Sequence, residues 1–538
     1  MIKGRKKMSE ILEGALEERI QQKKEIFRKE ISEFQEIGHK FLKKEISSAE
    51  FKGASGGMGV YAQRSGQEFM IRLRILCGVV DLETLKLIQS FTKEYTLDFI
   101  HFTTRQAIQL HNLSFDNLIK IMERALENNL FSRGGGGNFP RNISLSPLSG
   151  VEKKEAFDVT PYAILVNKYF VSQMDIYKLP RKFKVAFSNN GQDTGNASIA
   201  DIGFLAVKKD GKEYFKVYLG GSLGPEGDIA VPYDELINPE DIFYHLEAIL
   251  DLFQEEGDYE HRTKARMRFI VKRMGREAFL ECYKKHLKKV KENQKLDFVI
   301  DKDKYQVNIE NTEDKLLEGP DVISQKQKGL YTIEVHPRGG ILKTEDFNRM
   351  IKFLEKVPHA QIRLTMEEGM FIRNLTAKQA KELLDITKGI RKSTRLERSI
   401  SCIGVPTCQI GAQTSQSLLT NILGYFREKN FTEDILPSIH ISGCSNSCSR
   451  HQVNEIGFQG KRKRVNEEIQ DAYSLHIGGK TTQEDTHLAK EYGDMLASSI
   501  PKFLYELAVI LKERNLEFDE YRNSYQEEFE SFLEKYLM

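Results

Sequence analysis

The sequence predicts an internally duplicated α+β fold, because one pattern of strand, glycine turn, helix and strand occurs twice. Residues 100–113 (IHFTTRQAIQLHNL) align without gaps with residues 362–375 (IRLTMEEGMFIRNL), which begin 262 residues later. The same spacing relates two further pairs of positions, Ile71 with Ile333 and Gly78 with Gly340. Each copy therefore has the composition of one α+β half-domain.

A second set of matches extends the duplication to larger units. Residues 201–204 (DIGF) match residues 455–458 (EIGF) at a spacing of 254, and residues 219–221 match residues 477–479 at a spacing of 258. We therefore expect the order small unit, large unit, small unit, large unit. Chance similarity of short strand–helix patterns is the alternative, and the constant spacing between the two small units argues against it.

The segments around these units also have recognisable patterns. Residues 1–50 are rich in Glu and Lys, with apolar side chains at helical spacing at Ile11, Leu12, Ile20, Ile26 and Ile31. The glycine-rich stretch 53–59 is expected to interrupt that helix, and residues 69–76 (FMIRLRIL) alternate like a strand. Residues 258–304 are charge-dense and helical in pattern, which predicts a connecting segment on the surface.

Composition excludes several classes of protein. The 538 residues hold 80 Lys and Arg against 78 Asp and Glu, so binding of nucleic acid through bulk charge is not expected. No apolar run approaches the roughly 18 residues that span a bilayer, and the N-terminus is charged rather than signal-like. We therefore expect a soluble, cytoplasmic protein of several domains, with neither a nucleic acid nor a membrane as partner.

Four of the six cysteines form two close pairs in the second large unit. Cys402 and Cys408 have five residues between them, and Cys444 and Cys448 have three. A cubane iron–sulfur cluster needs four thiolates that converge from short loops, and two close pairs can supply them. Structural zinc sites usually place two residues between paired cysteines, and four unrelated buried cysteines are the other alternative. Cys77 and Cys282 have no partner in sequence and are expected to be structural.

The first copy supplies cations instead. They are Arg72, Arg105, Arg141, Lys182 and Lys184. Lys182 and Lys184 are two residues apart on a predicted strand and would share one face. Burying two cations on an apolar strand costs free energy unless an anionic ligand accompanies them, so the pair predicts an anion site. A solvated face is the alternative for any one of them. At a spacing of 257 the second copy has Ile439 and Ile441, which predicts one copy specialised for anions and one for metal.

These features together resemble the sirohaem-containing sulfite and nitrite reductases. The resemblance covers residues 55–535 and rests on the repeat, the TTRQ segment with Gln109, PRNI, LPRKFK and both cysteine pairs. It implies paired ferredoxin-like half-domains and two α/β lobes. The implied boundaries are an N-terminal helical extension at 1–54, half-domains at 55–125 and 321–390, a first lobe with the connecting segment at 126–320, and a second lobe at 391–538.

The resemblance also implies the cofactors and the role of each residue. A [4Fe–4S] cluster would be held by Cys402, Cys408, Cys444 and Cys448, and Cys448 would bridge it to the sirohaem iron. Arg105, Gln106 and Gln109 would bind the carboxylates of sirohaem. The substrate oxyanion would be bound by Arg72, Arg141, Lys182 and Lys184. The segment before Arg141 and Ser445 both depart from the common family pattern, and neither departure removes a ligand.

The resemblance leaves substrate and electron donor less sharply defined. Lys184 stands where plant-type nitrite reductases tend to have Asn, which favours sulfite, with nitrite or both anions as the alternative. The tetraglycine at 134–137 lacks the G-x-G-x-x-G continuation into a helix, so electrons are expected from a ferredoxin or a separate flavoprotein. The basic residues 461–464 are a candidate docking patch for an acidic donor, and a solvated loop is the alternative for this segment. A non-catalytic redox protein and a zinc-stabilised scaffold are the alternatives from other classes.

Overall fold

The computed structural model describes residues 13–298, 300, 302, 305, 309, 317–465 and 467–538. These residues form four five-stranded sheets with helices packed on them, which confirms the predicted duplicated α+β class. None of the described helices is long and apolar enough to cross a membrane. Ile11, Leu12 and part of the predicted connecting segment, at 299, 301, 303 and 304, lie outside the described residues.

The elements follow one another in the predicted order. The N-terminal extension contains α1 (Glu13–Leu42) and most of α2 (Ser48–Gly57), which continues past the predicted boundary at residue 54. The first half-domain contains β1 (Val60–Ala62), β2 (Phe69–Leu73), β3 (Val79–Val80), α3 (Leu82–Glu94), β4 (Phe99–Phe102), β5 (Ile108–Leu113) and α4 (Phe115–Glu127). The first lobe contains β6 (Ser144–Leu145), α5 (Thr160–Val171), β7 (Val185–Ser188), β8 (Ile202–Lys209), β9 (Lys212–Leu219), β10 (Val231–Ile237), α6 (Ile242–Glu256), α7 (Met267–Met274) and α8 (Arg276–Asn293). The second half-domain contains β11 (Val322–Ser324), β12 (Tyr331–Val335), β13 (Ile341–Lys343), α9 (Thr344–Leu354), β14 (Gln361–Leu364), β15 (Met370–Leu375) and α10 (Ala377–Ile386). The second lobe contains β16 (Ile400–Ser401), α11 (Ser415–Glu428), β17 (Ile439–Ser442), β18 (Ile456–Val465), β19 (Glu468–Ile477), β20 (Lys490–Leu496), α12 (Ile500–Arg514), α13 (Phe518–Ser524) and α14 (Gln526–Glu534).

The two half-domains exchange an edge strand. Their sheets have the orders β1-β2-β5-β4-β13 and β11-β12-β15-β14-β3, so β13 completes the first sheet and β3 completes the second. Ile341 pairs with His101, and Val80 pairs with Ile362. Apolar side chains of both halves, together with Phe27, Phe34 and Phe51 of the extension, form one continuous core. Each half therefore depends on the other to close its sheet.

Local sequence explains where several helices of the half-domains begin. The Asp81 side chain accepts a hydrogen bond from the Thr84 backbone at the start of α3, and Ser114 does the same at the start of α4. Thr376 forms a capping box with Gln379 at the start of α10. Each cap satisfies backbone N–H groups that have no partner within the helix.

The two lobes also have the same topology. Their sheets, β6-β7-β8-β9-β10 and β16-β17-β18-β19-β20, each begin with three parallel strands and end with antiparallel ones. Each lobe has its own apolar core. The cysteine loops follow β16 and β17 in the second lobe, and the cationic segments precede β6 and β7 in the first. The shared topology therefore positions both the cysteines and the cations.

The strand register corrects one sequence prediction. Val185 pairs with Ile202, and Ile439 pairs with Ile456, so the two lobes correspond at a spacing of 254 residues. Lys182 and Lys184 lie in the extended segment before β7, and Ile439 corresponds to Val185. The proposed equivalence of the lysines with Ile439 and Ile441 is therefore wrong, because the loops of the two copies differ in length and shift the spacing along the chain.

The glycine-rich stretch also differs from the prediction. Residues 53, 56 and 57 lie within α2, which begins with a capping box between Ser47 and Glu50. The glycines shape the helix surface, since a Cβ on Gly57 would lie 2.9 Å from Nη1 of Arg133. The absence of side chains thus lets the end of α2 pack closely against the segment before β6.

Candidate functional site

A cavity of about 1090 Å³ lies where both half-domains and both lobes meet. It is as large as the largest ordinary ligand pockets. Ten of its lining residues are Lys or Arg, and Glu368 is the one Asp or Glu among the described residues that line it. Burial raises the pKa of Glu368 to about 8, so this carboxyl is largely uncharged at neutral pH. The cavity wall is therefore strongly positive, although the whole chain carries a formal charge of only +2.

All four paired cysteines line this cavity. Cys402 directly follows β16 and Cys444 lies two residues after β17, and these strands are parallel neighbours, so their carboxyl ends bring the loops to one edge. The Gly443 backbone donates to Sγ of Cys402 (3.1 Å), and the Asn446 amide donates to Sγ of Cys444 (3.3 Å). Backbone and amide donors of this kind stabilise thiolates.

The four thiols do not form a ligand set for one metal ion. Within the described part of the chain, no three His, Cys, Asp or Glu side chains are close enough to hold one metal ion. A tetrahedral zinc site needs thiolates within about 2.3 Å of one atom, whereas a [4Fe–4S] cluster separates its four thiolates over different iron atoms. The zinc-scaffold alternative therefore lacks its ligand set among these residues.

The predicted anion-binding residues line the same cavity as Cys448. Burial raises the pKa of the Cys448 thiol, and the charges of Lys182, Lys184 and Arg72 act in the opposite direction. Burial, together with the neighbouring Arg266, lowers the pKa of Lys182 to about 7. Burial also lowers the pKa of Lys184 well below its usual range. Both pKa shifts come first from burial and second from neighbouring cations, so an anionic ligand in the cavity would favour the charged form of both lysines.

A chain of hydrogen bonds orients Arg72. The Gln109 oxygen accepts from Nε (2.9 Å) and Nη2 (2.7 Å) of Arg72, and the Gln109 nitrogen donates to Nδ1 of His101 (2.8 Å). Burial lowers the pKa of His101 to about 4, so its ring is neutral and can accept this bond. Gln109 thus lines the cavity while its side chain is hydrogen-bonded to Arg72 and His101. Its binding of sirohaem stays a prediction.

Arg105 and Gln106 share one turn but have different surroundings. Arg105 lines the cavity, donates to Oγ of Ser144 (3.1 Å) and to the Val185 carbonyl (3.1 Å), and leaves its buried Nε without a partner. Gln106 does not line the cavity. Its amide donates to the carbonyls of Leu145 (2.9 Å) and Leu364 (2.8 Å) and accepts from the Leu145 backbone (2.9 Å). Gln106 therefore joins the half-domains to the first lobe, and its predicted contact with sirohaem stays a prediction.

Several cationic lining residues were not predicted from sequence. They are Lys52, Arg133, Arg181, Arg262 and Arg450. Two of them lie next to a predicted motif, since Arg181 is adjacent to Lys182 and Arg450 is two residues after Cys448. Lys52 and Arg262 come from segments with no motif. Arg450 donates to the Met366 carbonyl (2.8 Å) and pairs with Glu367 (2.5 Å), which joins the cysteine loop to the second half-domain. Of the other cysteines, Cys77 is buried, with its Sγ 3.1 Å from the Ala163 carbonyl oxygen, and Cys282 is half-buried.

Comparison with known proteins identifies the family. The half-domain model of the nitrite and sulfite reductases matches residues 61–128 and 323–389, and the model of their 4Fe-4S domain matches residues 136–291. Together these matches cover more than half of the chain. The chain belongs to the nitrite and sulfite reductase family. It is therefore an oxidoreductase whose cofactors are sirohaem and a [4Fe–4S] cluster.

Known members of this reductase family span most of the chain. It is 26% identical over 462 residues to a ferredoxin–nitrite reductase of Synechococcus elongatus, a match that covers 82% of this chain and 86% of the relative. It is 28% identical over 453 residues (81% and 73%) to a chloroplastic ferredoxin–nitrite reductase of Oryza sativa. It is 24% identical over 491 residues (82% and 81%) to an NADPH sulfite reductase haemoprotein β-component of Geobacillus thermodenitrificans. The solved NirA protein of Mycobacterium tuberculosis has the same fold, with a TM-score of 0.72 at 20% identity, covering 85% and 86% of the two chains.

The cavity of this reductase fits both cofactors. Sirohaem is a large polycarboxylate, and the cavity offers ample volume, an excess of cations and buried Nε atoms of Arg105 and Arg141 without partners. The four cysteines lie on one wall, outside the range 136–291 matched by the 4Fe-4S domain model and in the second lobe. The roles of individual residues toward each cofactor remain predictions.

Proposed function

We propose that this reductase converts nitrite to ammonium, taking up six electrons and eight protons and releasing two water molecules. The observation that carries the proposal is the group of four cations, Arg72, Arg141, Lys182 and Lys184, which lines the same cavity as Cys448; none of the four has an ion pair with a carboxylate among the described residues. The relatives from Synechococcus elongatus and Oryza sativa both carry the name nitrite reductase, which favours nitrite over the sulfite predicted from Lys184.

The four cations have distinct tasks in this proposal. Arg72 and Arg141 hold the oxyanion through fixed N–H donors, since a guanidinium keeps its charge throughout. Lys182, with a pKa of about 7, can give up and regain a proton near neutral pH as oxygen leaves as water. When bound, sirohaem and the cluster supply the iron and the electrons for the reduction. Cys402, Cys408, Cys444 and Cys448 hold the cluster, and Arg105 binds sirohaem carboxylates.

Sulfite is the second candidate substrate, and Lys184 favours it. A second lysine beside Lys182 adds positive charge at the place where a larger dianion would bind. Because Lys184 lies among Arg105, Lys182 and Arg266, its charge is costly without a ligand. A dianion would offset that repulsion more fully than nitrite does.

A reduced ferredoxin is the proposed electron donor. The chain lacks a dinucleotide fingerprint, and several relatives are named ferredoxin-dependent. Of the candidate docking patch, Lys461 and Lys463 pair with Asp494 (2.6 and 2.8 Å). Arg462 and Arg464 are exposed and have no ion pair among the described residues. The patch available to an acidic donor is therefore about half of the predicted one.

The first experiment is anaerobic oxidation of reduced methyl viologen by the purified holoenzyme with nitrite or sulfite. We expect higher kcat/KM with nitrite and six viologens oxidised per ammonium formed. Lys184→Asn should shift the ratio of kcat/KM values further toward nitrite, whereas the exposed control Lys209→Asn should not. A higher kcat/KM with sulfite would favour the second candidate, and turnover of neither anion would refute both.

The donor is tested separately. Reduced ferredoxin should support nitrite reduction, whereas NADPH alone should not. Replacing Arg462 and Arg464 together by Gln should raise the KM for ferredoxin and leave turnover with methyl viologen unchanged. An unchanged KM for ferredoxin would remove this patch from the proposal.

A further inference from the structure

The tetraglycine segment, which matches no nucleotide-binding motif, packs more tightly than side chains would allow. A Cβ on Gly136 would lie 2.2 Å from both the Gly56 carbonyl oxygen and the Tyr61 hydroxyl, and a Cβ on Gly135 would lie 2.8 Å from the Ser132 carbonyl oxygen. Gly134 and Gly137 have φ angles of +74° and +68°. The segment 134–137, here called the glycine loop, is thus held against the end of α2.

The carbonyl groups of the glycine loop hold two of the proposed substrate-binding arginines. The Gly135 oxygen accepts from Nη1 of Arg72 (2.8 Å) and from Nη1 of Arg141 (3.0 Å). The Gly137 oxygen accepts from Nη2 of Arg141 (2.8 Å). One carbonyl therefore places the two guanidinium groups side by side. Because a guanidinium is planar and rigid, these bonds also set the direction of its remaining N–H groups.

Helix α1 of the N-terminal extension is linked by an ion pair to the residue before the glycine loop. Glu30 of α1 accepts from Nε (2.7 Å) and Nη2 (2.9 Å) of Arg133, the residue immediately before the loop. Arg133 also donates to the Gly57 carbonyl (3.2 Å) and lies over the Phe139 ring, 4.3 Å from its centroid. The pair is mostly buried, with 15% of Arg133 and 24% of Glu30 exposed. Both ends of the loop are thereby attached to neighbouring elements.

We propose that Glu30 and Arg133 are positioning residues for the oxyanion, because they hold the glycine loop in the conformation that aligns Arg72 and Arg141. This gives the N-terminal extension a task in substrate binding, and it rests on the proposed function of the four cations. A displacement of about 1 Å in a binding group can lower activity about 100-fold. Loss of the Glu30 carboxylate should therefore reach the substrate site without any contact between Glu30 and the substrate.

The test compares Glu30→Gln with a matched control on the same helix. Glu17 of α1 pairs with Lys168 of the first lobe at 2.5 Å, more than three helical turns before Glu30, so Glu17→Gln makes the same chemical change at another ion pair of this helix. For each holoenzyme we would measure the Kd for nitrite by visible spectral titration, KM and kcat with methyl viologen, and amide exchange of residues 132–141. Arg133→Lys, which keeps the charge but loses the bidentate geometry, is the second variant should Glu30→Gln fail to fold.

We expect Glu30→Gln to raise both Kd and KM for nitrite about tenfold and to speed amide exchange in residues 132–141, with sirohaem and iron content unchanged. Glu17→Gln should stay within twofold of the wild type in Kd, even where the two variants lose similar thermal stability. Equal Kd values for the two variants, or unchanged exchange in residues 132–141, would overturn the proposal. Failure of the wild type to turn over nitrite and sulfite would instead refute the proposed function, while amide exchange would still report on the loop.

Discussion

Asp201 is the carboxylate that balances the cations behind the proposed substrate site. It is fully buried and accepts from Nη2 of Arg266 (3.2 and 3.0 Å) and from the Lys184 backbone (2.8 Å). Arg266 itself is 5% exposed. Asp201→Asn keeps the volume of the side chain but removes the charge, which leaves Arg266 buried beside Lys182 and Lys184 without a counter-ion.

The expected cost follows from this burial. Breaking a buried ion pair by removing one partner typically destabilises a protein by about 3–5 kcal/mol. Since each 1.4 kcal/mol is a factor of ten in an equilibrium constant, local opening of the first lobe should become about 100- to 4000-fold more frequent. No cavity contribution is expected, because Asn and Asp have nearly the same shape.

Hydrogen exchange monitored by mass spectrometry measures the local opening of the first lobe, since exchange of protected amides follows the opening equilibrium. Peptides covering β7 and β8 should exchange faster by that factor in Asp201→Asn, whereas Asp210→Asn in the exposed β8–β9 turn should match the wild type. Added sulfate should restore part of the protection, because the site with one fewer carboxylate binds anions more tightly. Exchange less than about threefold faster would refute the assignment of Asp201 as the counter-ion.

Three further predictions test other parts of the structure. Replacing the cluster cysteines singly by Ala should lower the iron content and remove the cluster signal in electron paramagnetic resonance, whereas Cys282→Ala should change neither; full iron content in any cluster variant would exclude that cysteine as a ligand. Burial lowers the pKa of His245, bonded to the Tyr283 hydroxyl, to about 3, so its contribution to stability is present above pH 6.5 and is lost as the pH falls toward 3. His245→Asn should reduce the slope of unfolding free energy against pH over this range, by the amount that corresponds to about one fewer proton taken up on unfolding. An unchanged slope would contradict the lowered pKa of His245. Gln106→Glu places a carboxyl against two carbonyl oxygens, so the new carboxyl should stay protonated in the folded protein. The variant should therefore lose stability as the pH rises above about 4.3, the pKa of an unfolded Glu. A thermal midpoint equal to that of the wild type at pH 8 would contradict this geometry.

The sequence was sufficient to predict the duplication and to name most of the residues that come together around the cavity. Residues 100–113 and 362–375 occupy equivalent strands and turns, and the shared positive φ of Gln106 and Glu368 shows that even the turn conformation is repeated. Ten of the eleven predicted site residues line the cavity, and Gln106 is the exception. Motif position located Gln106 correctly along the chain, but its hydrogen-bond partners come from segments far away in sequence.

Other features depend on loops whose lengths differ between the copies. The spacing is 262 in the half-domains and 254 at β7 and β17, so a fixed offset assigned the wrong counterparts to Lys182 and Lys184. The exchange of β3 and β13 has no sequence signal, because an edge strand pairs through backbone groups that every residue carries. Lys52 and Arg262 likewise join the cavity from segments without a motif.

The sequence by itself determined which chemistry this chain carries: two cysteine pairs for a cluster, a set of cations for anions, and a repeated framework for both. Only the tertiary structure decided how these groups face one another, that Gln106 joins two units, and that the glycine loop orients Arg72 and Arg141. The physical reason is that residue type sets charge and ligand character locally, whereas burial, distance and hydrogen-bond direction arise only when distant segments pack together.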